Sequence, residues 1–510
     1  MNRASALAAL LDQPTRWDVL VIGGGASGLG VAVDAAARGL KTALVEQHDF
    51  AKGTSSRSTK LIHGGFRYLK QGNIGLVRES LRERGLLRRN APHLVHPLNF
   101  VVPCYHWWEA PYYGNGLKLY DWFAGELGLQ PSHHLSSEKA LEALPNVRRA
   151  GLRGGIRYQD GQFDDARLAV ALAQTATDLG ASVVNYVRVA SFIKQDGRVA
   201  GAQVCDVESG REFPLHARVV INATGIFTDT VRRMDEAGAP SVIAASQGVH
   251  LVLPRQFLGA NSALMVPRTD DGRVLFIIPW HDRVLVGTTD TPVTETSLEP
   301  RPLVAEIEFL LTQAAKYLTK APTVGDILSV TAGLRPLVHL PGAKSTAALP
   351  RDHVVLVSPG GLVTLTGGKW TTYRKMAEDA VDKAIEVASL TRKPCVTEQL
   401  ALADPRPRSG QSATETMLRS GGAASLERRL HPDLPLTTDD VLHAARHEMA
   451  RTVEDVLARR SRCLLLDARS AAEAAPAVAA LLSKEFGRGP VWEAEQVALF
   501  RELAKGYLPP

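Results

Sequence analysis

Three glycines and a carboxylate, set around one short apolar run, carry the clearest chemistry in this 510-residue chain. The run Val19 to Ile22 is long enough for one buried parallel strand, and Gly23-x-Gly25-x-x-Gly28 follows it directly. The first glycine permits a tight turn, and the second lets backbone N–H groups approach a pyrophosphate, with Ser27 beside them. The third lets the next helix pack on the strand. Small apolar residues Val31, Ala32, Ala35 and Ala36 recur at helical spacing up to Gly39, and a second strand, Lys41 to Val45, ends on Glu46. Glu46 lies 18 residues past Gly28, near the roughly 20 expected of an acid that accepts from a ribose hydroxyl. An acid there argues against NADP. The motif alone leaves NAD and FAD open, and its place near the N-terminus favours a flavin.

Further chemistry-bearing residues cluster in three places. The stretch Gly53 to Leu69 offers hydroxyls at Thr54, Ser55, Ser56 and Ser58, and cations or imidazole at Arg57, Lys60, His63 and Arg67. Such a loop is rich in donors for an anionic cofactor or substrate. Val219 to Gly225 reads as a returning parallel strand ending Ala223-Thr224-Gly225, where the glycine admits close approach to a nucleotide. Near the end of the same unit, a strand, Gly367-Gly368-Lys369 and a long helix through Thr371 form a second anion site at a helix N-terminus. Between them lie His250, Asp290 and Arg335, on or beside segments patterned as antiparallel strands.

The elements that must position these residues follow from the pattern. Helices are expected over 74–90, carrying five arginines, over 162–180 and over 303–320. The segment from Tyr105 to Phe123 is crowded with tryptophan and tyrosine. Arginine beside such rings suits a lipid headgroup layer, whereas a packed aromatic cap is the plainer arrangement. Pro405, Pro407, Ser409 and Gly410 mark a linker, and the chain is helical beyond it. The expected division is a short polar or weakly helical tail, 1–16, and a discontinuous α/β nucleotide domain, 17–72 with 155–240 and 352–390. A β-rich substrate domain, 73–154 with 241–351, is inserted into it, and a helical domain, 400–510, closes the chain.

Composition narrows the function classes. Apolar content of 45% and charged content of 22% suit a globular protein with full cores. The formal charge of +6 comes without a long basic run, which points to an anionic substrate or lipid and away from nucleic acid. Cys104, Cys205, Cys395 and Cys463 are scattered without a CxxC pair. That argues against a metal site built on cysteines and fits a reducing compartment. Neither a signal-peptide h-region nor a run of about 18 apolar residues is present.

Read together, VIGGGASG, SSRSTKLIHGGFRYL, FDDARL, INATG, IIPW, GTTD, GLRPL, GGKWTTYRK and RHEMARTVEDVLARRSR, in this order from Asp18 to about Asp467, resemble the FAD-dependent glycerol-3-phosphate dehydrogenases. The resemblance implies a glutathione-reductase-like Rossmann FAD domain, an antiparallel substrate sheet and a C-terminal helical domain. It implies oxidation of sn-glycerol 3-phosphate to dihydroxyacetone phosphate, with electrons passed to a membrane quinone. It also implies a peripheral place on the cytoplasmic face of the inner membrane, against an anionic lipid surface, and a homodimer.

In that scheme Gly23, Gly25, Ser27 and Gly28 hold the FAD pyrophosphate and Glu46 the adenosine ribose. Thr54, Ser55, Ser56, Ser58 and Lys60, with Ala223 and Gly225, line the cofactor, and Gly367, Gly368, Lys369 and Thr371 sit near the isoalloxazine. Arg67, Arg335 and Lys369 clamp the phosphate. His250 is the first candidate for the base, because its ordinary pKa permits proton uptake near neutrality; Asp290 either orients it or replaces it, and His63 is the third. The alternatives of like fold are an oxidase that uses oxygen and an amine or amino-acid oxidoreductase. From another class comes a non-catalytic flavoprotein.

Overall fold

The structure is a computed structural model, and it describes residues 1–12, 16–65, 72–339, 352–404 and 429–510. Arg67 and the expected linker at 405–410 lie outside the described residues.

The strand Trp17–Ile22 is buried along almost its whole length, as a central parallel strand must be. Thr42–Val45 and Glu212–Asn222 flank it in parallel, and Ser182–Val184 and Val363–Gly367 extend the parallel set on either side. His353–Val357 closes one edge antiparallel. A hairpin of Val187–Gln195 and Arg198–Asp206 continues from the first half of Glu212–Asn222. The alanine-rich helix Ala26–Ala37 packs between the helices Asp165–Asp178 and Tyr373–Val387. Its small side chains set the spacing: a Cβ on Gly30 would stand 2.9 Å from the Tyr373 ring.

A second, ten-stranded sheet is inserted between Glu212–Asn222 and Val363–Gly367, and it borrows strands from earlier in the chain. Ile243–Pro254 is its spine, paired antiparallel with Arg283–Gly287 on one side and Ser329–Val338 on the other. Leu275–Trp280 and Ala263–Val266 lead outward to Val95–Cys104 and Gly154–Phe163. All pairings are antiparallel except that of Ala263–Val266 with Val95–Cys104. Two strands differ from the expected domain division. Leu61–Ile62 and Gly154–Phe163, placed above largely with the nucleotide domain, pair with each other in this second sheet. They cross because Gly154–Phe163 hydrogen-bonds along its whole length to Val95–Cys104, a longer ladder than the first sheet offers.

The expected weak tail at 1–16 contains the helix Arg3–Leu11, docked by Leu10 in the core and by Arg3, which donates to Asn185 O and pairs with Asp206. The arginine-rich helix Ile74–Asn90 is likewise more buried than a solvated face: Arg84 pairs with Asp160 at 2.7 Å, and Glu83 with Arg374 at 2.7 Å.

Beyond residue 428 the described chain is mostly helical, chiefly in Thr438–His447, Ala468–Phe486 and Pro490–Lys505. One apolar cluster joins these helices to the second sheet through Val252, Ile278 and Leu285. Between helices, the π-helical turn Asp455–Arg460 aims its arginines into the nucleotide-binding unit. Arg460 holds Asp49 with two bonds of 2.7 Å, and Arg459 reaches the same carboxylate at 2.5 Å and Glu454 at 2.6 Å. Burial pushes the Asp49 carboxyl up, but the two guanidinium groups outweigh it and hold it at about 2. Glu454, buried and faced by Arg459 and Lys52, is also held at about 2.

These values lie below the unfolded ones, so the contribution to stability is full above about pH 4.5 and fades as the pH falls toward 2. Asp49→Ala takes the bidentate partner from Arg460 and is expected to cost about 3 kcal/mol. A scanning-calorimetry Tm within a degree of wild type would remove the cluster from the forces that join the helical region to the sheet.

Candidate functional site

A cavity of about 510 Å³ is lined from both sheets. The turn after Trp17–Ile22 contributes Gly23, Gly25 and Ser27, and Ala223 and Gly225 face it from the end of Glu212–Asn222. Gly23 has φ +113°, and a Cβ there would stand 2.7 Å from Ala223 O, so the turn accepts no side chain. Gly28 packs against Gly23 O and does not line the cavity. Helix Ala26–Ala37 opens on Gly25, which supplies no side-chain cap; Ser55 Oγ accepts from Ala26 N at 2.9 Å, and the positive dipole end lies toward the cavity.

Glu46 closes the strand Thr42–Val45, accepting from Gly24 N at 2.6 Å and His48 N at 2.8 Å. Burial raises its pKa, against those two backbone donors. A helix N-terminus facing the cavity, an acid at the next strand end and a cavity that continues to a second sheet fit a dinucleotide. Gly23, Gly25, Ser27 and Glu46 are the residues that would hold it.

The second sheet and the Gly367–Thr371 turn supply the rest of the lining. Thr54, Ser55, Ser58, His63, His250, Arg335, Gly367, Gly368, Lys369 and Thr371 all reach the cavity. Trp370 Nε1 donates to Ser55 O at 2.9 Å and Thr371 Oγ1 to His63 O at 3.5 Å. Those bonds join two loops more than 300 residues apart in sequence.

Arg335 stands opposite Ser246 in the sheet register, and its guanidinium lies over Gly248, where any side chain would collide with it. Nη2 donates to Thr289 O at 3.0 Å and Thr288 Oγ1 at 3.1 Å, while Nη1 reaches Asp290 Oδ1 at 3.3 Å. His250 is 4% exposed, and its ring occupies space that Gly287, its cross-strand partner, leaves open. Burial, then the charges of Lys60 and Arg335, push its pKa well below the ordinary value. The imidazole is therefore neutral at pH 7 and able to accept a proton.

Besides Gly28, three expected placements differ. Asp290 does not line the cavity; its carboxylate accepts from Ser246 Oγ and Arg335, and the hydrogen-bond partner of His250 is Thr59 instead. Ser56 and Lys60 also lie outside the lining. The cause is Asp165, a fully buried carboxylate at the start of Asp165–Asp178. It draws in Lys60 Nζ at 2.7 Å, Ser58 Oγ at 2.7 Å and Arg462 Nη2 at 2.9 Å, and Ser56 O accepts from both cations. Burial lowers the Lys60 pKa to about 8, with Asp165 pulling it back up.

Sequence reasoning missed Asp165, Arg462, Thr59 and Gly287. FDDARL did signal a helix start, and Asp164 is its cap, accepting from Ala166 N and Arg167 N. Nothing local distinguishes the second acid, whose partners come from the far ends of the chain.

Comparison with known proteins agrees with this architecture. Residues 18–374 match the FAD dependent oxidoreductase family, and residues 364–497 match the C-terminal domain of alpha-glycerophosphate oxidase. The chain is 40% identical to the probable mitochondrial glycerol-3-phosphate dehydrogenase of Caenorhabditis elegans, over 98% of this chain and 74% of that protein. It is 42% identical to the mitochondrial glycerol-3-phosphate dehydrogenase of Arabidopsis thaliana, over 95% and 85%. The crystal structure of glycerol-3-phosphate dehydrogenase from Bacillus halodurans complexed with FAD superposes with a TM-score of 0.78 at 28% identity, covering 99% of this chain and 98% of that one. With the dinucleotide cradle, the inserted sheet and the helical region all matched along almost the whole length, this chain belongs to the FAD-dependent glycerol-3-phosphate dehydrogenases.

Proposed function

We propose that this enzyme oxidises sn-glycerol 3-phosphate to dihydroxyacetone phosphate and hands the electrons to a quinone at a membrane surface. The observation that carries the reading is one cavity holding a dinucleotide cradle, a neutral buried histidine and the side chains of Arg335 and Lys369. FAD, when bound, supplies the acceptor for the hydride leaving C2 of the alcohol. The protein supplies binding, orientation and the proton acceptor.

Arg335 and Lys369, with Arg67, hold the phosphate. Guanidinium suits it because two N–H groups can meet two phosphate oxygens at once. Asp290 and the Thr288 and Thr289 oxygens hold the Arg335 fork in place, so less side-chain freedom is lost on binding. His250 takes the hydroxyl proton. A bound phosphate offsets the Arg335 charge that depresses the imidazole, which strengthens the base when substrate is present. His63 lines the same cavity and is the alternative base.

Membrane contact rests on a separate feature. The helix Glu109–Ala124 and the residues before it expose Trp107 (76%) and Trp122 (74%), with Trp108, Tyr112 and Leu119 beside them. Among the described residues no helix is long and apolar enough to cross a membrane. An exposed aromatic face of this kind suits docking at a headgroup layer.

Anaerobic addition of sn-glycerol 3-phosphate to the purified holoenzyme is expected to bleach the flavin band near roughly 450 nm. Faster recovery with a soluble quinone than with oxygen supports the dehydrogenase; the reverse makes it an oxidase, and no bleaching sinks the substrate assignment. Arg335→Ala should raise KM for the phosphate ester with FAD content retained, and an unchanged KM would take it out of the clamp. His250→Ala should lower kcat by about 10²–10⁴; a near-normal kcat moves the role to His63. Trp107→Ser with Trp122→Ser should reduce co-sedimentation with anionic vesicles, and equal binding would exclude this face.

A further inference from the structure

His250 Nε2 lies 2.9 Å from Thr59 Oγ1, and among the described residues neither group has another hydrogen-bond partner. The opposite ring nitrogen, Nδ1, is unbonded yet is not among the polar atoms sealed from solvent, and the residue lines the cavity. The imidazole therefore has one nitrogen pinned by a hydroxyl and one left toward the space where a substrate would sit. A neutral imidazole carries a single N–H, and the Thr59 hydroxyl can meet Nε2 either as donor or as acceptor; only the tautomer with Nε2–H leaves a lone pair on Nδ1.

We propose that Thr59 is the positioning residue for His250: its hydroxyl accepts from Nε2–H, fixes that tautomer and leaves the Nδ1 lone pair to take the substrate proton. The proposal rests on His250 being the base. The substrate O–H bond breaks, an Nδ1–H bond forms, and the proton stays on the imidazole. No bond in Thr59 changes. The Nε2–H···Oγ1 contact strengthens as the ring becomes cationic, so the hydroxyl favours the charged state without adding a charge of its own. A carboxylate in that place would bring a full negative charge against a ring already bordered by Lys60 and Arg335, and would compete with the substrate phosphate for those cations.

Thr59 stands next to Lys60, and that neighbour explains why the hydroxyl is held still. Lys60 has φ +63° and its ammonium is locked on Asp165 and Ser56 O, so the preceding residue is anchored from below. On the other side, the imidazole lies against Gly287, where a Cβ would stand 2.1 Å from the ring.

The test uses FAD-loaded full-length enzyme. Thr59→Val keeps the shape and removes the acceptor; it should lower kcat roughly 10- to 100-fold, part of the loss expected for the base itself, with KM and FAD content nearly unchanged. Thr59→Ser should restore most of kcat. In a His250→Ala background, Thr59→Val should add nothing. In protein labelled with nitrogen-15 histidine, the signal lost in His250→Ala should be that of the Nε2–H form in wild type and should change in Thr59→Val.

Wild-type kcat in Thr59→Val, a further loss in the double variant, or an Nδ1–H signal in wild type would each overturn the proposal. Near-normal kcat in His250→Ala would instead overturn the base assignment, and the histidine signal would still report the tautomer.

Discussion

Asp165 sits at the start of a helix with no access to solvent, and three donors from two distant parts of the chain converge on it: Ser58 and Lys60 from one loop, and Arg462. Remove that carboxylate and two buried cations lose a partner, while the loop that carries Thr54 to Thr59 along the cavity loses one of its anchors. A buried charge network of this kind adds little to net stability compared with an apolar core of the same volume. Its consequence is specificity, because the unpaired alternatives are so costly that one loop conformation survives. The positions of Ser58 and Thr59 in the cavity, and the exclusion of Lys60 from it, both follow from this one carboxylate.

The same logic explains why the helical region is part of the catalytic body and not an appendage. Arg459 and Arg460 converge on Asp49, just past the strand end that bears Glu46, and Arg462 reaches the loop through Ser56 O. An apolar cluster joins the same helices to the second sheet. Two unlike interactions thus tie one region to both sheets that line the cavity. The sheets themselves are held in register from the cavity side by Trp370 on Ser55 O, a bond between the two loops that meet there.

Electrostatics at the cavity are correspondingly one-sided. At the substrate end Arg335 and Lys369 border it, a helix dipole adds positive potential near Gly25, and the acids nearby are committed: Asp290 to Arg335, Asp165 to Lys60 and Arg462, and Glu46 at the far end to two backbone N–H groups. Such a space attracts dianionic ligands and disfavours a protonated histidine, which is the condition under which His250 stays neutral.

The sequence by itself determined the nucleotide-binding βαβ unit, the inserted sheet, the helical end and most of the cavity lining. Gly23, Gly25, Glu46 and Lys369 were legible from local rules (a tight turn, a strand end, a helix N-terminus), whereas His250 and Arg335 were singled out through the family resemblance of their motifs. Tertiary structure alone decided which polar groups face the cavity and which face each other. Lys60 and Ser58 stand two residues apart in one hydroxyl-rich loop, yet one is spent on Asp165 and the other also lines the site. Thr59 gained a partner in His250, 191 residues away, through a side-chain contact between a loop and the second sheet, where strand pairing places Gly287 behind the ring. The physical reason is that buried polar groups must be paired, and the chain cannot show which pairs will be made until the fold has brought distant donors and acceptors within about 3 Å.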